Sequence, residues 1–302
     1  LYATYRHVLS SDSRSRKTPK WMKQLQIIDS TTITLFSNLL FKGVGRHPKT
    51  GKKKGGIKVH TVIHANEGVP SDIKFTSAAT NDSFMLKPTT LSKGDIMAMD
   101  RAYIDYEKFQ QLTERGVIYV TKMKKKLKYS ILSDTMYQTP DGLMEVRLQH
   151  VEFVKQVKNW ETIHHRARII TYVDVRKHKL ISLLTNDMDS DPNEIIAIYR
   201  QRWEIELLFK QMKQNFPLKY FYGESANAIK IQIWVTLIAN LLLMVMQKGL
   251  KRKWSFSGLA TMVRITLMYY VDFYSLFNNP EKEWEIILSE ASGAPPRPSL
   301  FD

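Results

Sequence analysis

Short runs of β-branched and apolar residues, broken by Gly, Pro and Asn, fill the first part of the chain. Residues 21–36 (WMKQLQIIDSTTITLF), 57–65 (IKVHTVIHA) and 72–76 (DIKFT) read as strands, the last two joined by the turn-like NEGVPS. Residues 81–91 are expected to start a helix capped by Asn81 or Asp82. A short buried strand follows at 95–99 (DIMAM), then a helix at 106–115 ended by Gly116, then a strand at 117–121. The order β-β-β-α-β-α-β predicts a mixed sheet with helices on its faces. After the basic run 122–128 (KMKKKLK) come EVRLQHVEFVKQV, RARIITYVDV and HKLISLLTN, separated by turn signals such as TPDG. Residues 129–185 therefore predict a mostly β subdomain. From Pro192 to Phe277 the pattern is helical, and the Pro-rich tail GAPPRPSLFD is expected to be poorly ordered. No period of roughly 20–50 residues repeats, which argues against a solenoid.

Composition narrows the class. The chain has 302 residues, 43% hydrophobic and 25% charged, as a folded globular protein has. Zero cysteines excludes a disulfide framework, a Cys-ligated metal and a thiol nucleophile. A formal charge of +16 points to a polyanionic partner, nucleic acid or an anionic membrane surface. The longest apolar stretch, residues 231–246, carries Gln232, Thr236 and Asn240 and is shorter than the ~20 residues of a membrane span. It reads as a buried core helix, so no membrane partner is expected. The first residues lack the apolar segment of a signal peptide and begin with Leu, as expected of a fragment or a processed product.

The strongest local signal is residues 192–216, PNEIIAIYRQRWEIELLFKQMKQNF. Asp191 is placed to cap this helix, Pro192 sits at its first position and Pro217 stops it. At about 100° per residue, Tyr199, Arg202, Glu206, Lys210 and Lys213 share an arc of roughly 80°. On its own that is an ordinary solvated face with i,i+4 ion pairs. Two further carboxylates change the picture. Asp29 follows the apolar run LQII, and Asp100 closes DIMAM. Two strand aspartates and one helix glutamate can converge on a pair of divalent ions that drive in-line phosphoryl displacement. Carboxylate oxygens suit Mg²⁺ or Mn²⁺, and cations on the same helix face, Lys210 among them, would bind flanking phosphates.

These residues resemble the IS-four family of bacterial insertion-sequence transposases, which are DDE enzymes. The family signature Tyr-x2-Arg-x3-Glu-x6-Lys is met by Tyr199, Arg202, Glu206 and Lys213. Its first motif is met by IIDSTTITL around Asp29, and its second by Asp100-Arg101-Ala102-Tyr103. GIKVHTVIHANEGVP and YFYGESANAIKIQIWVTLIANLLL are also similar to the family. The resemblance implies an RNase H-like α/β fold whose mixed sheet is flanked by helices, with a mostly β insertion before the glutamate helix. It implies that Asp29, Asp100 and Glu206 are catalytic and bind two Mg²⁺ ions, Mn²⁺ substituting. Tyr199, Arg202 and Lys213 would hold transposon-end DNA. The implied activity is cut-and-paste transposition: 3′-end cleavage, a hairpin intermediate and strand transfer into target DNA by a homodimer on paired ends. The setting would be the bacterial cytoplasm, at the nucleoid. The implied organisation is a remnant of an N-terminal region at 1–20, an RNase H-like core at 21–128 and 186–250, the insertion at 129–185 and a helical C-terminal segment at 251–302. The rival readings are an RNase H-like nuclease without strand transfer and a non-catalytic DNA-binding protein from a decayed element.

Other features remain open between contact and structure. GRHPKTGKK (45–53) fails the P-loop spacing and reads as a basic loop, and residues 122–128 as a DNA contact or a solvated face. His60 reads as a satisfied sheet histidine, while His164 and His165 point to opposite faces of a strand. Trp160 reads as packing or as a platform for a flipped base. Glu204 falls off the polar face. Tyr269, Tyr270, Phe273 and Phe277 read as core or as a dimer contact.

Overall fold

The apolar run IMAM has no polar residue to show to water, and it becomes a central strand. The computed structural model describes residues 2–9, 19–35, 55–138, 145–156, 162–174, 178–267 and 273–281. It divides into two compact units, residues 1–234 and 235–302. Trp160, the loop 45–53, Tyr269, Tyr270 and the tail lie outside the described residues, as does the side chain of Phe273.

The first unit begins with α1 (Tyr2–Leu9) and continues with β1 (Leu25–Thr34), β2 (Gly56–His64), β3 (Val69–Ser77), β4 (Ile96–Met99), α2 (Tyr106–Glu114) and β5 (Ile118–Lys122). A meander follows: β6 (Ser130–Gln138), β7 (Glu145–Gln156), β8 (Thr162–Asp174) and β9 (Lys179–Thr185). All nine strands form one sheet in the order β3-β2-β1-β4-β5-β9-β8-β7-β6. β1, β4 and β5 are parallel, and β2 is antiparallel to β1 and β3. The expected mixed sheet is therefore present. The insertion extends it, because β9 pairs antiparallel with β5 through Thr121 and Leu184.

One apolar core crosses from the central strands into the insertion. It holds Met97 and Met99 of β4, Phe109 and Leu112 of α2, and Val151, Phe153 and Ile169 of the meander. The Phe109 and Tyr119 rings stack with centroids 4.0 Å apart. β6 has no counterpart in the sequence reading, because nearly every residue of SILSDTMYQ is exposed on the sheet edge and no alternation marks it.

Two expected elements differ. Residues 81–91 form two 3-10 turns, Asp82–Met85 and Pro88–Thr90, in place of a helix. Asn81 does cap the first, accepting from Ser83 N at 3.3 Å, but Pro88 lacks an N–H and pushes Lys87 to extended backbone. Residues 192–216 form two consecutive helices, α3 (Pro192–Gln201) and α4 (Trp203–Asn215). The break is at Arg202, whose N–H donates to Tyr199 O at 3.1 Å, a tighter i to i−3 turn. Asp191 caps α3 as expected, accepting from Asn193 N at 2.7 Å.

The apolar run 231–246 lies in α5 (Ala226–Gly249), a 24-residue helix long enough to span a bilayer by length alone. It is less buried than expected of a core helix: Ile231, Val235 and Ile238 are exposed while Thr236 and Asn240 are buried. Gln232 has a structural job, its Nε2 donating to Pro217 O at 3.0 Å and its Oε1 accepting from Tyr222 N at 3.1 Å. In the second unit, α6 (Phe256–Thr266) and α7 (Phe273–Asn278) follow. There Trp254 Nε1 donates to Phe277 O at 2.7 Å, and Phe277 is buried.

Candidate active site

Strand register brings the two aspartates together. Ile28 of β1 lies beside Met99, the last residue of the parallel β4, so Asp29, midway along β1 and still paired with Thr61 of β2, neighbours Asp100 just past the end of β4. Neighbouring strands are about 4.8 Å apart. Asp100 precedes the 3-10 turn Arg101–Tyr103, and its side chain is not spent on capping it. α4 packs on β1 and carries Glu206 to this edge; α3 packs on β4 and β5.

Arg202, at the break between the helices, joins the carboxylates. Its Nη1 is 3.5 Å from Asp29 Oδ2 and its Nη2 is 2.5 Å from Glu206 Oε1. The guanidinium also lies 5.6 Å from the centre of the Tyr199 ring. An ordinary polar helix face would leave Arg202 in solvent; here its two carboxylate partners draw it in, with only 15% of its side chain exposed.

The electrostatics record crowding. Burial pushes the Asp29 carboxyl up to about 6, the charges of Asp100 and Glu206 add to the rise, and the Ser30 N–H and Arg202 oppose it. Ser30 N donates to Asp29 Oδ1 at 2.8 Å. Burial, with Asp100 and Glu206 nearby, also raises the Tyr199 hydroxyl. Tyr103 is fully buried, and burial together with the charges of Asp29 and Asp82 holds its hydroxyl protonated. Lys210 and Lys213 are exposed on α4 and make no ion pair among the described residues.

A layer behind Asp29 escaped the sequence reading. Ser30 Oγ donates to Asp82 Oδ1 at 2.6 Å, and Lys58 Nζ donates to the same oxygen at 3.1 Å and to Thr80 O at 2.7 Å. The one signal for it is a lysine, Lys58, in the largely buried strand β2. His60 is a sheet histidine with a partner: its Nε2 lies 2.7 Å from Thr76 Oγ1 and its Nδ1 3.9 Å from Asp82. Glu204 is exposed, and His164 and His165 diverge, the first exposed and the second fully buried.

Among the described residues, no three His, Asp or Glu side chains stand close enough together to surround a metal ion. The chemistry of Asp29, Asp100 and Glu206 nevertheless fits a hard divalent cation: carboxylate oxygens, one of them on a carboxyl that burial holds partly protonated, with a guanidinium already drawn between Asp29 and Glu206.

The profile of the transposase DDE domain matches residues 20–242. Transposase y4zB of Sinorhizobium fredii is 27% identical over 236 residues, covering 78% of this chain and 63% of that protein. The transposase of insertion sequence element IS5377 from Geobacillus stearothermophilus is 24% identical over 231 residues, covering 76% and 58%. That of element IS4SA from Synechocystis is 24% identical over 246 residues, covering 79% and 66%. The chain thus spans about three-fifths of the length of these relatives. Among solved structures, the piggyBac transposase synaptic complex with hairpin DNA covers 94% of this chain and 59% of its own at TM-score 0.46 and 11% identity. The profile match takes in β1 with Asp29, β4 with Asp100 and α4 with Glu206, and on that match the chain belongs to the family of transposase DDE domains.

Proposed function

We propose that this chain is the catalytic core of a DDE transposase that cuts transposon-end DNA and joins it to target DNA. The observation that carries the reading is the pairing of Arg202 with both Asp29 and Glu206, beside the end of the neighbouring parallel strand that Asp100 follows. Asp29, Asp100 and Glu206 would hold two divalent ions, Mg²⁺ or Mn²⁺. When bound, such a pair activates a water or a 3′-hydroxyl and stabilises the leaving oxygen. Arg202 supplies positive charge beside the carboxylates and orients Glu206. Tyr199, through its ring and raised hydroxyl, keeps Arg202 in place. Lys210 and Lys213 reach solvent on the same helix and are placed to take phosphates flanking the reacting bond. Asp82 and Lys58 hold Ser30, and Ser30 N–H fixes one oxygen of Asp29. The same reading includes a hairpin intermediate and a homodimer on paired ends, in the bacterial cytoplasm.

The test is strand transfer of pre-cut DNA ends, taken from the element's own flanking repeats, into a supercoiled plasmid with Mg²⁺ or Mn²⁺. Wild type and Asp100→Ala are compared. Metal-dependent joined product that vanishes in the variant is expected. Nicking without joining would favour a nuclease, and binding without either would favour a non-catalytic DNA-binding protein.

A further inference from the structure

Beyond the carboxylate edge, the first unit holds a cleft of about 800 Å³. The loop after β5 forms one wall, and the facing side chains Ile169 and Thr171 of β8 and Ser182 of β9 form the floor. Six cations line it: Arg101, Lys122, Lys124, Lys125, Lys126 and Lys179. None of its lining residues is acidic, and among the described residues none of the six makes an ion pair. Arg147 also lines it, but that charge is matched by Asp134. Like charges gathered without counter-ions are unfavourable unless an anion joins them.

Three features say which anion. First, Arg101 directly follows Asp100, and Lys122 ends the strand beside β4, so the cleft opens one strand away from the carboxylates. Second, Lys126 holds a left-handed backbone, φ 66°, which a non-glycine residue adopts at a cost and which is met more often at binding sites than elsewhere. Third, Tyr129 and Leu180 leave apolar surface at the rim, 37% and 70% exposed. A basic groove with an aromatic side chain at its lip is how proteins hold unpaired strands, phosphates on cations and bases on rings. Its volume suits a short stretch of one strand.

We propose that this cleft binds a single DNA strand leading away from the site of cutting. The direction of that strand rests on the transposase reading; the binding itself does not.

Three DNAs test it by fluorescence anisotropy in EDTA: a blunt duplex, the same duplex with an unpaired tail, and the tail alone. Wild type is expected to favour the tailed duplex over the blunt one by about tenfold. The triple variant Lys124→Gln, Lys125→Gln, Lys179→Gln is expected to lose that preference. Its salt slope on tailed DNA should fall by about 2, near 0.7 for each strand phosphate contact removed. Tyr129→Ala is expected to weaken tailed binding at least fivefold with the slope unchanged. Unaltered melting temperatures show that the variants fold. A wild type without the preference, or a triple variant that binds all three DNAs as wild type does, overturns the cleft. So does equal loss on blunt and tailed DNA, which is general charge. Metal-dependent cleavage by wild type is scored in parallel. Cleavage without the preference sinks the cleft alone, whereas the preference without cleavage supports the cleft and sinks the transposase reading.

Discussion

At the scale of residues, the folded chain holds Asp29 against its own preference. Its carboxyl is raised to about 6 by burial first and by Asp100 and Glu206 after. The unfolded chain releases that proton near 3.8, so between about pH 4 and 6 the folded state holds the extra proton. Stability therefore falls as pH rises through that window and stays lowered above it. Asp29→Asn removes the penalty. With 20% of the side chain exposed, the gain at pH 8 should be about 1–2 kcal/mol, less than the roughly 3 kcal/mol of the full shift. The variant should melt higher than wild type at pH 8 and level with it at pH 4, and it should cut no DNA. Added Mg²⁺ should raise the melting temperature of wild type only. A variant no more stable at pH 8 would mean that Ser30 and Arg202 already compensate the crowding. Glu206→Gln is expected to lower cleavage by more than about a hundredfold while salt-sensitive binding persists. Normal cleavage by that variant would remove Glu206 from the catalytic set.

At the scale of elements, His165 ties the insertion to the core. On β8, its Nε2 lies 2.7 Å from the Tyr119 hydroxyl of β5 and its Nδ1 3.1 Å from Gln110 Oε1 of α2. Neutral imidazole satisfies both, with Tyr119 donating to Nε2 and Nδ1–H donating to Gln110. Burial pulls the pKa of His165 down to about 4. The unfolded chain binds a proton near 6.5, the folded chain only near 4, so stability is complete at neutral pH and is lost as pH falls across that window. The loss should approach about 3 kcal/mol at pH 4. Urea melts at pH 7 and pH 4.5 should show it, and His165→Gln should flatten the difference while lowering stability at pH 7. A profile as steep in the variant would assign the acid lability elsewhere. The elements themselves were legible where burial imposes a pattern. β4 and β5 are buried and read as short apolar runs, β2 reads as a β-branched run, and α2 is ended by Gly116. The apolar run before Asp29 and the strand end before Asp100 also marked those two residues, Asp29 lying midway along β1. Hidden from the sequence were features set by tertiary contacts: the exposed edge strand β6, the turns around Pro88, and the ion pair that draws Arg202 of the polar helix face onto Asp29. The Asp82–Lys58–Ser30 layer was hidden too, since 52 residues separate Ser30 from its acceptor.

At the scale of the molecule, a net charge of +16 and a carboxylate site make opposing demands on DNA. Phosphates are drawn to the surface cations by counter-ion release, yet the reacting phosphate must approach three acidic side chains. In the proposed enzyme, divalent ions reconcile the two. Removing the acids altogether should therefore separate attraction from chemistry. In the triple variant Asp29→Asn, Asp100→Asn, Glu206→Gln the net charge rises from +16 by three, to +19. Without divalent metal it should bind duplex DNA at least as tightly as wild type at low salt, and somewhat more tightly where the strand passes the carboxylate edge. Raising the salt should weaken both proteins along nearly the same slope, because the variant loses no cation. With Mg²⁺, wild type should gain affinity and cut, while the variant should do neither. Filter binding across a salt series, with and without Mg²⁺, measures all of this on one substrate. If the variant bound DNA far more weakly than wild type in the absence of metal while melting normally, the three carboxylates would be orienting Arg202 and its neighbours for DNA contact, and the two-ion reading of this edge would fail.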